Sequence, residues 1–257
     1  MKFALWNIRY ATGSGWRFHL PVPFSGYFRP TAQNLDRITA FLAQERPDVI
    51  GLLEIDNGSY RSQNNSQAVQ IAQALGYTQV YASKYAHSSF AHYTPVMREQ
   101  GNAFLTNQDI KDQGFHYFNE GVKRLVIELE FDRFVIFLVH LSLKFRHRQY
   151  QLNDLYALFR QVKKPMIVAG DFNVFWGDRE LNLFLAAAGL TNANTEGLPT
   201  YPSRRPRRQL DFILHSPGIR VQSLRVPRIV YSDHLPIVCE IDVDGVDSAS
   251  TPAEPER

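Results

Sequence analysis

The sequence predicts an α/β domain in which helices lie outside packed β-sheets of mixed strand direction, and three observations point there. Short apolar runs alternate with stretches of helical period. Two of the apolar runs are joined tightly enough to form a hairpin, which mixes the strand directions. Residues 1–243 contain no internal repeat and no linker-like segment, so they read as one domain. Residues 244–257, rich in Ser, Thr, Pro and Glu, read as a disordered acidic tail.

The elements follow in order. The opening MKFALWNIRY reads as an alternating strand and not as a secretory leader, because Asn7 and Arg9 interrupt the apolar stretch. In TAQNLDRITAFLAQERPD, Leu35, Ile38, Phe41 and Leu42 recur at helical spacing and the helix ends before Pro47. DVIGLL, residues 48–53, is a continuous apolar run that stops at Glu54, as in a strand covered on both faces. A second helix is predicted from Ser66 to Leu75, with Ala68, Ile71, Ala72 and Leu75 inward and Gly76 at its end. KRLVIELEF and RFVIFLVHLSL form the hairpin around Asp132-Arg133, with Val126, Glu128 and Glu130 on a solvated face. A third helix runs from Arg148 to Val162 on the stripe Leu152, Leu155, Leu158, Phe159 and Val162, and the strand PMIVAG then delivers Asp171. Asp178 caps a fourth helix through LNLFLAAAG, stopped by Gly189. The strands QLDFIL, IRVQSLRV and LPIVCEID close the domain.

Composition narrows the class. A chain of 257 residues with 44% hydrophobic residues buries a large core without staples. Cys239 is the only cysteine, which excludes an intramolecular disulfide and a thiolate metal site and suits a reducing, cytoplasmic setting. No apolar run approaches the roughly 18 to 20 residues of a membrane span. The net charge of +3 is compatible with an anionic substrate.

Chemistry is suggested by where the polar residues fall. Asn7 closes FALWN, Glu54 closes DVIGLLE, His140 closes FVIFLVH, and Asp171 and Asn173 follow MIVAG. Asp211 lies inside QLDFIL, and Asp233-His234 opens LPIVCEI. Strands ending at one rim bring such residues together, and acids gathered there repel unless a cation lies between them. Carboxylates and amide oxygens without a cysteine cluster suit Mg2+ or Mn2+.

These blocks carry a resemblance. WNIRY, PDVIGLLEID, QGNAFLT, FLVHLSL, VAGDFNVF, TYPSRRPRRQLDFIL and SDHLPIV resemble, in order and over residues 1–242, the endonuclease/exonuclease/phosphatase superfamily. The resemblance implies a four-layered α/β sandwich, two mixed sheets face to face with helices outside, and metal-assisted hydrolysis of a phosphoester. It implies that Glu54 is the principal metal ligand, with Asn7 beside it and Asp233 as a second metal-site acid. It further implies that Asp171 and Asn173 orient the attacking water and the scissile phosphate, and that Asp211 is the carboxylate partner of His234. General base is then either His234, held by Asp211, or Asp171 itself, with His140 donating to the phosphoryl oxygens. His140 is similar to the histidine of the deoxyribonuclease and sphingomyelinase branches, where abasic-site endonucleases have a tyrosine-bearing segment. Glu99 is a looser match, to a partner of that histidine.

Two features bear on the substrate. The segments Tyr10–Pro30, with Trp16, Phe18, Phe24, Tyr27 and Phe28, and Tyr85–Met97, with Phe90, Tyr93 and Pro95, are aromatic. SRRPRRQ places Arg204, Arg205, Arg207 and Arg208 just before Asp211. Arginines grip phosphates and aromatics stack on bases, so nucleic acid is favoured over a phospholipid or small phosphoester. A binding module of the same fold without activity is the remaining alternative. Nothing in the sequence indicates an obligate protein partner.

Overall fold

The computed structural model describes residues 1–15, 31–59, 62–83, 99–121 and 123–243. Twelve strands among them form two six-stranded sheets of mixed direction. The first sheet contains β1 (Lys2–Asn7), β2 (Val49–Asp56), β3 (Thr78–Ser83), β4 (Gln100–Thr106), β11 (Arg220–Arg225) and β12 (Ile237–Asp242), in the order β11-β12-β1-β2-β4-β3. The second contains β5 (Asp112–Tyr117), β6 (Leu125–Glu130), β7 (Val135–His140), β8 (Met166–Asp171), β9 (Thr191–Asn192) and β10 (Asp211–His215), in the order β5-β6-β7-β8-β10-β9. β1 runs parallel to β2, and β7 runs parallel to β8.

Strand alternation divides the apolar residues into three layers of core. Phe3, Leu5, Leu53 and Phe104 of the first sheet meet Ile127, Leu138, Ala169 and Ile213 of the second. Cys239 is buried in this layer, as its solitary occurrence suggested, and burial pushes its thiol up to about 12. The sheets approach closely at Gly51, where a Cβ would lie 3.0 Å from Leu138 Cδ1. Ala4, Trp6, Ile50 and Leu52 point the other way, onto α1 (Ala32–Glu45) and α2 (Gln67–Leu75). Phe137, Val139, Val168 and Phe212 point onto α3 (Phe145–Phe159) and α4 (Asn182–Ala188). The result is the four-layered α/β sandwich that the sequence resemblance implied.

Helix α2 obeys the capping rules at both ends. The Ser66 hydroxyl accepts from the Val69 N–H at 3.4 Å, and Gly76 ends α2 with φ +71°. Two helices differ from the sequence expectation. α3 starts three residues early, because Lys144 is extended and its carbonyl accepts the Arg148 N–H at 3.0 Å; Val162 lies in the turn beyond it. The fourth helix is preceded by a 3-10 turn over Asp178–Leu181, so its α-helical part begins at Asn182 and Asp178 is not its cap.

The β6–β7 hairpin forms, closed by Phe131 N–H to Phe134 carbonyl at 2.9 Å, but its outer face is not solvated. Val126 is buried in the layer beneath α3. Glu128 and Glu130 are half-buried, and face His116 and Lys164 at 2.6 Å each. An amphipathic helix and an edge strand cover residues that alternation alone assigned to water. The edge strands β3, β5 and β9 escaped the sequence reading because their exposed, polar residues carry little periodic signal.

Candidate active site

The strand ends converge on Asp171. β8 places it opposite His140 of parallel β7 and opposite Asp211 of antiparallel β10. Gly170 allows this: any Cβ there would fall 1.9 Å from the Val139 carbonyl oxygen, so only glycine lets β8 run this close to β7. Asp171 is buried, and its Oδ2 receives the Asn7 Nδ2 amide at 3.2 Å and lies 3.2 Å from His140 Nε2. Its Oδ1 accepts the Asn173 N–H at 3.0 Å. Asn173 has φ +54°, and its side-chain amide donates to the Leu141 carbonyl at 2.8 Å, which fixes the chain as it leaves the strand.

Glu54 reaches the same place by a different device. The pairing of β2 with β4 shifts register between Leu52 and Ile55, and Glu54 sits in the shift with φ +55°. Its N–H is accepted by Asn102 Oδ1 at 3.3 Å. A bulge with a left-handed residue turns a side chain off the strand alternation, here toward the rim. Glu54 Oε1 lies 3.9 Å from His140 Nε2 and 3.6 Å from Lys123 Nζ, and the Lys123 ammonium also touches His140 Nε2.

On the other side of Asp171 stands a second pair. His234 Nδ1 is 2.7 Å from Asp211 Oδ2, which also accepts the Thr200 hydroxyl at 2.6 Å. His234 Nε2 is 3.9 Å from Asp171 Oδ2. The expected Asp211–His234 partnership is therefore present as a contact. Asp233 makes its own contacts beside this pair: its Oδ2 is 3.5 Å from the buried Arg9 Nε, and its Oδ1 accepts the Ser232 hydroxyl at 3.2 Å. Glu99 precedes β4, and its carbonyl accepts from Asn57 and Tyr81; His140 Nε2 faces the Glu54 and Asp171 carboxylates.

Electrostatics match this geometry. Burial alone would push Asp171 up, but the His140 hydrogen bond and the charges of His234, His140 and Lys123 hold it well below the usual carboxylate range. Burial opposes charge on His234, yet the Asp211 carboxylate in contact with it, and Asp171 and Asp233 beyond, push it up to about 10.

Hard oxygen donors are present for a divalent cation. Asp171 and Asp211 offer carboxylate oxygens, and His234 a ring nitrogen, all buried and within 4.8 Å of one another. Asp211 Oδ1 is buried with no hydrogen-bond partner among the described residues. Glu54 and Asp171 add carboxylates facing cationic side chains, and Asn7 adds an amide oxygen. That donor set, oxygen-rich and without thiolate, fits Mg2+ or Mn2+.

The arginine run is fastened to the site. Tyr201 and Arg208 form an isolated β-bridge that closes the loop. The Ser203 hydroxyl donates to the Ser232 carbonyl at 2.5 Å, and the Ser203 N–H donates to the Asp233 carbonyl at 2.7 Å. Arg204 Nε bonds Ser14, and Arg204 and Arg205 line a cavity of about 820 Å³ with Asp233 and Val230. The aromatic segments around Trp16 to Phe28 and Tyr85 to Met97 lie outside the described residues.

Sequence reasoning missed Lys123, Thr200 and Arg9 as site residues. Lys123 precedes an apolar strand, where a charge reads as a solvated end, and Arg9 inside WNIRY reads as the polar close of the first strand.

Comparison with known proteins follows the same direction. The family model for the endonuclease/exonuclease/phosphatase family matches residues 4–234. A UPF0294 protein of Vibrio vulnificus is 34% identical over 94 residues, which is 35% of this chain and 32% of the relative. The chain thus spans about a third of the length of the curated relatives it matches. Among solved structures, an endonuclease/exonuclease/phosphatase from Beutenbergia cavernae superposes with TM-score 0.69 at 18% identity, over 94% of this chain and 71% of that one. The mannosyl-6-phosphatase of Bacteroides thetaiotaomicron gives 0.69 at 17%, over 94% and 99% of the two chains. The human Nocturnin catalytic domain with bound sulfate gives 0.64 at 19%, over 94% of each. These likenesses are of fold.

Proposed function

The chain belongs to the endonuclease/exonuclease/phosphatase family, and from that premise we propose that it is a metal-dependent phosphodiesterase that hydrolyses nucleic acid. The observation that carries the reading is the buried Asp171 carboxylate, set between Asn7 and His140, which also faces Glu54, on one side and His234, paired with Asp211, on the other. A purely structural cluster has no need to gather this many polar groups from five strands and the loop before β12 at one point.

Glu54 and Asn7, with Asp233 completing the set, would hold Mg2+ or Mn2+, which when bound supplies Lewis-acid charge for a phosphoryl oxygen. The remaining work is positioning and charge stabilisation, which dominate phosphoryl transfer. Asp171, aligned by Asn7 and Asn173, orients the attacking water and takes its proton. His234, with Nδ1 on Asp211, presents Nε2 to a phosphoryl oxygen. His140 and Lys123 add positive charge from the side of Glu54.

Nucleic acid is supported by the four arginines 204, 205, 207 and 208, held beside Asp233-His234 by Ser203. The test is a Mg2+/Mn2+ panel on single- and double-stranded DNA, RNA, sphingomyelin, phosphatidylinositol phosphates and bis-p-nitrophenyl phosphate. Cleavage of a polynucleotide, with binding that weakens steeply with salt, supports the reading. Cleavage of the lipids alone, with salt-independent binding, overturns the nucleic-acid assignment in favour of a lipid phosphoester.

A further inference from the structure

A row of rings and one guanidinium leads outward from His234. The Tyr201 ring is centred 4.9 Å from that of His234, Phe175 lies 5.7 Å beyond Tyr201 in an edge-to-face contact, and the Arg208 guanidinium sits 5.7 Å from the Phe175 centroid. Trp176 follows Phe175 and is 88% exposed, three residues from Asn173. The loop is tightly turned: Phe175 N–H donates to the Asn173 carbonyl at 2.9 Å and Gly177 N–H to the Val174 carbonyl at 3.0 Å. Arg208 is held in turn by the bridge to Tyr201. This open indole therefore stands on a loop anchored to Asp171 through the Asn173 N–H.

We propose that this row is a base-stacking subsite: Trp176 takes the base of a nucleotide flanking the scissile phosphate and Arg208 takes that nucleotide's phosphate, which makes the substrate an unpaired strand. The inference rests on the nucleic-acid reading above and goes further by naming the strand form and the residues that select it. Insertion into a lipid surface needs a contiguous apolar face. Here the row is three rings ending in a guanidinium, with no aliphatic member, the combination that suits bases joined by phosphates. Bases paired inside a duplex keep their faces stacked on one another and offer none to Trp176.

The experiment measures cleavage and binding of a short single-stranded oligonucleotide by the full chain. Trp176→Ala raises KM by about tenfold to a hundredfold, the scale of one lost base-aromatic stack, with kcat changed much less. Trp176→Phe restores KM, and Leu183→Ala, at an 82% exposed apolar site outside the row, leaves it unchanged. In chelator, where no cleavage occurs, the oligonucleotide quenches indole emission of the wild type and loses most of that effect in Trp176→Phe. An unchanged KM in Trp176→Ala, or quenching that persists in Trp176→Phe, overturns the subsite and leaves the nuclease reading standing. A wild type that cleaves bis-p-nitrophenyl phosphate but no oligonucleotide overturns the nucleic-acid reading and the subsite with it.

Discussion

Asp171 Oδ2 faces Asn7, His140 and His234 at the point where the strand ends meet. Replacing it by Asn keeps the volume and removes the charge those groups surround. Asp171→Asn is expected to lower kcat by ~10² or more, the scale of losing a positioned acid/base or charge-stabilising group, with unchanged circular dichroism. Thr200→Val is a finer probe, since its hydroxyl donates to Asp211 Oδ2 at 2.6 Å and holds the carboxylate on which His234 rests. Loss of that bond is expected to cost about 1 to 3 kcal/mol, read as a lower kcat with KM nearly unchanged. At this scale Asn7, Glu54, His140, Asp171, Asn173, Asp211 and His234 stand out in the sequence as polar residues beside or within short apolar runs. Lys123 and Thr200 were not legible, because their roles depend on approach across space from segments that look like ordinary loop and strand edge. Asp233 was legible as a neighbour of His234, but its pairing with Arg9 depends on the positive φ of Arg9, which no local pattern announces.

The elements position the site through two tight arrangements. The first is the β7–β8 pair, in which Gly170 permits His140 and Asp171 to lie opposite each other. Gly170→Ala would drive its methyl into the Val139 carbonyl, and is expected to cost about 1 to 3 kcal/mol or more, seen as a lower Tm together with lost activity. The second is Arg148 of α3, fully buried, whose guanidinium binds Glu180 at 2.6 Å and the Ser142 and Leu143 carbonyls at 3.0 and 2.8 Å. It ties the loop after β7 to the loop after β8. Arg148→Met leaves Glu180 and two carbonyls without that donor and is expected to cost roughly 3 to 5 kcal/mol, measured by denaturant unfolding. Helix periodicity placed α1 and α2 closely because their apolar stripes are clean. It placed α3 three residues late because Phe145 and the buried Arg148 break the stripe's polarity, the former exposed and the latter inside.

For the whole molecule, two mixed sheets bring residues from both ends of the sequence to one rim. Trp6 Nε1 donates to the His234 carbonyl at 3.0 Å and Ser232 donates to the Asn7 carbonyl at 2.7 Å, so the first strand and the last loop are locked together at the site. Strand types and the apolar core could be read from alternation, but the order of strands in each sheet could not, since it is set by crossovers that leave no local trace. We propose that residues 1–243 fold and act as one domain; a chain ending after Val243 is expected to keep the Tm and kcat of the full chain, because β12 ends at Asp242. The central claim is that the strand ends around Asp171 form a metal-assisted phosphodiester hydrolysis centre. Its most direct measurement is the rate of bis-p-nitrophenyl phosphate hydrolysis by wild type and Asp171→Asn, each with Mn2+ and with chelator. The account predicts hydrolysis by the wild type with metal only, and a loss of ~10² or more in Asp171→Asn. A wild-type rate that survives chelation, or that Asp171→Asn leaves unchanged, would contradict it.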